Sequence, residues 1–170
     1  MTSQMHIERT LLVFKPDSVQ RAIVGEILTR FERVGLKIVG MKMVEPTLEH
    51  YHEHYEGIGS MKARRGELTF NNTVNYLQCG PVIAVVLQGV DAIEVVRKLT
   101  GGTEPKSAAI GTIRGDYCHV SYGRSDCLNV GVRNLIHTSA DAKEAAQEIK
   151  LWFKDGEIFE YQTVHEKYTQ

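Results

Sequence analysis

Residues 10–44 read TLLVFKPDSVQRAIVGEILTRFERVGLKIVGMKMV, and this stretch decides the fold. The apolar run at 10–14 predicts a short strand buried on both faces, and the KPD sequence at 15–17 ends it. Apolar residues then recur every three or four positions, which predicts an amphipathic helix over 18–34. Residues 36–44 predict a second strand. A strand, a helix and another strand therefore follow one another directly.

The rest of the chain continues this alternation. Residues 81–87, PVIAVVL, predict the clearest core strand, and residues 135–136 predict a short fourth strand. The helices are predicted over 47–55 with Thr47 as N-cap, over a short stretch at 74–77, over 91–99 and over 138–152, and residues 57–67 are predicted to form a loop. This order fits an α+β, ferredoxin-like fold (split βαβ), in which helices cover one face of an antiparallel four-stranded sheet.

Length and composition restrict the function classes. The chain has 170 residues, which predicts a single domain over residues 1–170. Its 20 Lys and Arg residues are balanced by 21 Asp and Glu residues, so we expect no nucleic-acid partner. The 3 cysteines lack CxxC spacing, which argues against a disulfide scaffold or a zinc site. Without a signal-like or membrane-length apolar run, we expect a cytoplasmic location and no membrane partner.

Dispersed cations offer a way to bind phosphate. Neither GxxxxGK[ST] nor GxGxxG occurs, so a P-loop kinase is excluded at the level of motifs. Lys15 follows the first strand directly, residues 97–103 end a predicted helix, and residues 111–116 (GTIRGD) place Arg114 between turn residues. Arg114 by itself is more typical of a solvated turn, and Gly101-Gly102-Thr103 could equally be a helix C-cap followed by a bend.

Histidines are the candidate nucleophiles. His137 lies between the predicted fourth strand and the next helix, where a neutral ring nitrogen could face phosphorus if another group fixes its tautomer. The alternative is a half-buried, hydrogen-bonded histidine with no role in chemistry. His50, His52 and His54 could bind a metal, but only His50 and His54 share a helix face and no ligand pattern such as HExxH accompanies them, so a solvated helix surface is the preferred interpretation.

Several ordered blocks carry a family resemblance. They are ERTLLVFKPDSVQR at 8–21, VGEILTRFERVGLKIVGMKM at 24–43, HY at 54–55, GPVIAVVLQG at 80–89, GTIRGD at 111–116, NLIHTSAD at 134–141 and EIKLWF at 148–153. In this order the chain resembles the nucleoside diphosphate kinase family over nearly its whole length. The resemblance implies a ping-pong reaction, in which the γ-phosphoryl group of a nucleoside triphosphate such as ATP passes through a phosphohistidine to a nucleoside diphosphate.

The resemblance also assigns residues. His137 would carry the phosphoryl group, Ser139 and Glu148 would orient its ring, and Tyr55 would line the same side. Nucleotide-binding roles would fall on the following residues: Lys15, Phe70, Arg97, Thr103, Arg114 and Asn134. Phe70, aligned with the family's base-stacking Phe, would contact the base. Mg²⁺ would be held mainly by the nucleotide phosphates, and the chain would form a homo-oligomer, a tetramer or a hexamer.

Two departures from the family pattern leave alternatives. The chain is longer than usual family members by about six residues between Tyr55 and Tyr76, in the hairpin that clamps the base, and by about ten between Asp116 and Asn134, where a hairpin through 122–123 is expected. A remodelled clamp would suit a catalytically silent nucleotide-binding or scaffold protein. A nucleic-acid module is the third hypothesis, and the balanced charge disfavours it.

Overall fold

The computed structural model describes residues 6–169 and contains a four-stranded antiparallel sheet. The strands are β1 (Ile7–Phe14), β2 (Lys37–Val44), β3 (Val82–Val90) and β4 (Ile136–Thr138), in the spatial order β2-β3-β1-β4. All three strand pairs are antiparallel, and Val13 of β1 lies opposite His137 of β4. The α+β, ferredoxin-like prediction is confirmed.

Short helices connect and cover the strands. In chain order they are α1 (Pro16–Gln20), α2 (Val24–Glu32), α3 (Leu48–His52), a π-helical turn (Glu53–Ile58), α4 (Met61–Arg65), α5 (Glu67–Leu77), α6 (Ala92–Thr100), a 3₁₀ turn (Pro105–Ser107), α7 (Ile113–Tyr117), α8 (Tyr122–Leu128), α9 (Ala142–Trp152) and α10 (Glu166–Thr169). None of the helices within residues 6–169 combines the length and the apolar character that crossing a bilayer requires.

The sheet is covered on both faces, whereas one covered face was predicted. Leu11 and Val13 of β1 belong to an apolar cluster with α5 and the end of α9. Leu12 and Phe14 point the other way, into a second cluster with α2 and α6. Because successive side chains of a strand alternate between faces, a strand that is apolar throughout needs both layers.

The predicted helix over 18–34 is two helices. Ala22 has φ +55°, and this left-handed residue separates α1 from α2. Asp17 and Gln20 have the spacing of a capping box, but the N-cap of α1 is Lys15 and the helix begins with Pro16. The Asp17 carboxylate instead accepts a hydrogen bond from the backbone N–H of Leu135 at 3.0 Å.

Two predicted loops contain helices. Residues 57–67 hold α4, and Gly66 with φ +85° separates α4 from α5, which has 11 residues rather than the short stretch predicted. The hairpin expected through 122–123 is α8, capped by Ser121 and ended by Asn129 at φ +53°. Asn72 of α5 donates a side-chain hydrogen bond to Asn129 at 3.1 Å, so the inserted helix is tied to the hairpin formed by α4 and α5.

The start of the last long helix is also displaced. The helix was predicted from residue 138, but α9 begins at Ala142 because Asp141 caps it by accepting from the Glu144 N–H. Residues 136–138 are β4 instead, where His137 pairs with the end of β1. Glu148 then lies on the second turn of α9, from which its side chain reaches back to β4.

Candidate active site

A cleft of about 340 Å³ opens where β1 ends and β4 pairs with it. It brings together most of the residues that sequence reasoning selected, and those that line it are Lys15, Tyr55, Arg97, Thr103, Arg114, Asn134, His137 and Glu148. Ser139 is fully buried behind Glu148. Phe70 is absent from the lining.

A hydrogen-bonded chain orients His137. Its Nε2 lies 2.8 Å from Oε1 of Glu148, and Ser139 Oγ donates to Oε2 of the same carboxylate at 2.6 Å. Ser139 Oγ in turn accepts from the Leu11 N–H of β1 at 3.2 Å. A carboxylate accepts only, so Nε2 carries the proton and Nδ1 keeps its lone pair. Among residues 6–169, no hydrogen-bond partner occupies that Nδ1.

His54 lies beside this chain, and its role was missed. It is buried rather than solvated, and its ring is 4.4 Å from the His137 ring, edge to face. Trp152 Nε1 donates to His54 Nδ1 at 3.1 Å, so that nitrogen is unprotonated. Burial, with His137, His50 and Lys15 nearby, holds the pKa of His54 well below its usual range. The 3.7 Å approach of His54 Nδ1 to Glu148 is therefore a contact of two acceptors and not an ion pair.

Lys15 is a buried ammonium directed at the cleft. Its Nζ donates to Asn134 Oδ1 at 2.7 Å, and Asn134 Nδ2 donates to the Thr103 carbonyl at 2.8 Å. Burial and the charge of Arg114 lower the pKa of Lys15 to about 8, while Asp17 opposes the change. Lys15 is therefore an ammonium at pH 7 and loses its proton as the pH rises through about 8.

Arg114 is held rigidly by backbone carbonyls. Its guanidinium donates to Gly101, Asn134 and Ile136 at 3.1, 3.1 and 2.7 Å. The pKa of Arg114 falls to about 10, mainly through burial. The surface-turn alternative for this residue is therefore wrong, and its fixed fork presents positive charge beside Lys15.

Phe70 does not reach the cleft, so its predicted contact with a base is wrong. The side chain is fully buried in the α5 cluster, with His52 at its edge and Lys62 over its face. Its neighbour Thr69 lines the cleft instead. Successive residues of a helix point about 100° apart, so only one of this pair can face the cleft.

Further lining residues come from the two segments that depart from the family pattern. Met61, Arg64 and Arg65 of α4 face the cleft, as does Tyr122 of α8. The sequence signal for the two arginines is the charged run at 62–67, which could attract an anion. Tyr122 had no signal, because its segment was predicted to be a hairpin.

The donor set decides which metal the cleft can hold. His54, His137 and Glu148 place ligand atoms within 4.8 Å of one another. Two of these residues are histidines, whereas Mg²⁺ prefers oxygen ligands, and the indole N–H of Trp152 occupies His54 Nδ1. The trio is therefore unsuited to Mg²⁺. The lysine and arginines of the cleft instead fit a ligand that carries negative charge.

Comparisons with known proteins identify the family to which the chain belongs. The family model for nucleoside diphosphate kinase matches residues 8–158. The nucleoside diphosphate kinase of Borreliella burgdorferi is 43% identical over 159 residues, which cover 92% of this chain and 93% of that relative. The enzyme of Pyrococcus furiosus is 45% identical over 157 residues, covering 91% and 88%.

Solved structures give the same result. A transition state mimic of nucleoside-diphosphate kinase from Borrelia burgdorferi, with bound vanadate and ADP, superposes with a TM-score of 0.94 at 41% identity and covers 97% of this chain and 98% of that one. A halophilic nucleoside diphosphate kinase from Halobacterium salinarum in complex with CDP has a TM-score of 0.82 at 38% identity, covering 96% and 98%.

Proposed function

Because the chain belongs to the nucleoside diphosphate kinase family, we propose that His137 carries the phosphoryl group between nucleotides. The family's reaction moves the γ-phosphoryl group of a nucleoside triphosphate to a nucleoside diphosphate. The observation that supports His137 is its tautomer: the Nε2–H donates a hydrogen bond to Glu148, which leaves the Nδ1 lone pair available in a cleft lined by cations.

The two half-reactions balance at one nitrogen. Nδ1 attacks the γ-phosphorus of the donor, a phosphorus–nitrogen bond forms, and the bond to the bridging oxygen breaks to release the diphosphate. A terminal oxygen of the second diphosphate then attacks the phosphohistidine, and the phosphorus–nitrogen bond breaks. Glu148 and Ser139 hold the ring in line throughout, and alignment with charge neutralisation supplies most of the catalysis.

The other cleft residues that the family resemblance assigned have binding or lining tasks in this proposal. Arg97, Thr103 and Arg114 bind the phosphates, and Lys15 with Asn134 contacts the sugar and the phosphates. Tyr55, 5.9 Å from the His137 ring between centroids, lines the reacting side. Mg²⁺, held by the nucleotide's own phosphate oxygens, would neutralise their charge when bound. We also propose one domain over residues 1–170, a tetramer or hexamer, and a cytoplasmic location.

Labelling with [γ-³²P]ATP and Mg²⁺ tests the proposal. The wild-type protein should retain label that is stable in base and lost in acid, as expected for phosphohistidine. His137→Ala should retain none, whereas the matched control His165→Ala, which removes an exposed histidine, should label normally. Labelled His137→Ala would refute the assignment. Nucleotide binding by the wild type without any label would favour the catalytically silent alternative.

A further inference from the structure

The backbone is strained at Leu135, two residues before His137. Leu135 has φ +73°, a left-handed value that is costly for a residue with a branched side chain, and its side chain is fully buried. The Ile136 N–H donates to the Asn134 carbonyl at 2.9 Å, which closes a three-residue turn around Leu135. Such a turn persists only where its surroundings hold it.

The start of α1 provides that hold. The Lys15 N–H and the Ser18 hydroxyl both donate to the Leu135 carbonyl, at 2.8 and 2.7 Å. The Leu135 N–H donates to Oδ2 of Asp17 at 3.0 Å. Both polar groups of the strained peptide are therefore satisfied by residues 15–18.

The turn sets the geometry of the cleft on both of its sides. The side chain of Asn134 accepts a hydrogen bond from the Lys15 ammonium. The backbone carbonyls of Asn134 and Ile136 accept hydrogen bonds from the Arg114 guanidinium. His137 follows one residue later on β4. Relaxation of Leu135 to an ordinary backbone conformation would rotate these groups relative to one another.

The Asp17 carboxylate is only half used by this turn. Its Oδ1 is buried, and the Tyr76 hydroxyl lies against Asp17, where it accepts from the Asp17 backbone N–H at 3.3 Å. Burial and the Asp17 carboxylate raise the pKa of Tyr76. An Asn side chain could accept the same Leu135 N–H, so the hydrogen bond alone does not require a charge. Asp17 follows Lys15 by two residues in the chain. Arg114 repels the buried Lys15 ammonium, and the negative charge of Asp17 opposes that repulsion.

We infer that Asp17 is a positioning residue for the nucleotide site: its carboxylate holds the strained turn at Leu135 and places a negative charge near the Lys15 ammonium. This inference rests on the proposed nucleotide-binding role of the cleft. Asp17 acts through Lys15 and the turn, and it contacts no reacting atom. Its hydrogen bond sets positions, and its charge opposes the loss of the Lys15 proton that burial and Arg114 favour.

The pH dependence of ADP binding tests the charge. Lys15, with a pKa of about 8, is an ammonium below that pH, so ADP affinity should fall as the pH rises through about 8. The other titratable or charged groups that line the same cleft are His54 and Tyr55 of the π-helical turn, Arg64 and Arg65 of α4, Arg97 of α6, Arg114 of α7, Tyr122 of α8, His137 of β4, and Glu144 and Glu148 of α9. Tyr76 of α5 lies against Asp17. Burial raises the pKa of Tyr55 and lowers that of Arg114 only to about 10, so neither group loses its proton near pH 8.

The decisive variant is Asp17→Asn, which keeps the shape and an acceptor oxygen. Removing the negative charge should move the alkaline fall in ADP affinity to lower pH by about one unit. The matched control is Ser18→Ala, which removes a hydrogen bond to the same Leu135 carbonyl without changing charge. Its alkaline fall should stay where the wild type has it. Lys15→Met should abolish the fall, which identifies the titrating group.

Calorimetric ADP binding with thermal unfolding at each pH separates the outcomes. An unchanged pH profile in folded Asp17→Asn, or an equal displacement in Ser18→Ala, would overturn the inference. Asp17→Ala, which loses the acceptor as well, should bind ADP more weakly than Asp17→Asn at pH 7, and equal affinities would refute the role of the hydrogen bond. Phosphohistidine labelling is a separate measurement, so a failure of the proposed function remains distinguishable.

Discussion

At the scale of single residues, Glu148 joins two hydrogen bonds that the nucleophile needs. Its carboxylate accepts from His137 and from Ser139 at the same time. In Glu148→Gln, the amide NH₂ cannot accept, so one of the two hydrogen bonds is lost or reversed. We expect kcat to fall on the order of 10²-fold with a small change in KM, because the ring loses its orientation and the nucleotide contacts remain.

Steady-state kinetics with ATP and a nucleoside diphosphate measure this effect. Ser139→Ala is the control, since it removes one hydrogen bond to the carboxylate, together with the acceptor of the Leu11 N–H, and keeps the carboxylate itself; its loss of kcat should be smaller. Both variants need a thermal unfolding midpoint close to the wild type. A Glu148→Gln protein with unchanged kcat, or with a raised KM alone, would contradict the orienting role.

Sequence reasoning reached most of these residues but not their neighbours. Lys15 and His137 follow apolar strands closely, so the ends of the strands marked them. Glu148 lies eleven residues after His137, and this spacing alone does not predict a contact. The fold brings the two side chains together, because α9 packs back along β1. His54 was interpreted as solvated because local sequence contains no information about the distant Trp152.

At the scale of elements, α5 places Phe70 in the core and its neighbour Thr69 at the cleft. Phe70 is a core residue, so Phe70→Ala should lower the free energy of unfolding by about 3–5 kcal/mol. Phe70→Leu fills more of the space and should cost less. Its KM for nucleotides should equal that of the wild type, since the ring does not face the cleft.

Urea unfolding and steady-state kinetics together check this pair. The comparison variant is Thr69→Ala, whose side chain lines the cleft and whose effect should fall on KM rather than on stability. A rise in KM for Phe70→Leu without loss of stability would restore Phe70 as a base-contacting residue.

The accuracy of the element predictions follows the physical signal. The centres of strands β1 and β3 were predicted because their uninterrupted apolar runs must be buried, although β1 begins at Ile7 and β3 extends to Val90. The break inside the helical pattern at 18–34 was not predicted, since Ala22 adopts a left-handed conformation that its local sequence does not require. The hairpin expected at 122–123 failed for a related reason, as the Ser121 cap and the tie to α5 favour a helix there.

At the scale of the whole molecule, the C-terminal segment stabilises the edge of the sheet opposite β4. The Phe159 N–H donates to the Val39 carbonyl at 2.8 Å, and the Tyr161 hydroxyl donates to the Ile38 carbonyl at 2.6 Å. Lys37, a buried residue of β2, donates to the Tyr161 carbonyl and to Glu166. An edge strand with satisfied backbone groups is less available for unwanted pairing.

Deleting residues 160–170 should therefore destabilise the sheet without removing the catalytic chain. The shortened protein should still form phosphohistidine, because His137 and Glu148 lie at the far side of β1, but its urea midpoint should fall. Part of that fall should come from the Lys37 ammonium, which would lose both acceptors while its stem remains packed. Adding Lys37→Met to the shortened chain removes the unpaired charge and should recover part of the midpoint, whereas the same substitution in the full-length chain should lower it. If the deletion left the urea midpoint unchanged, or if Lys37→Met acted equally in both chains, the segment would have no role in holding this edge.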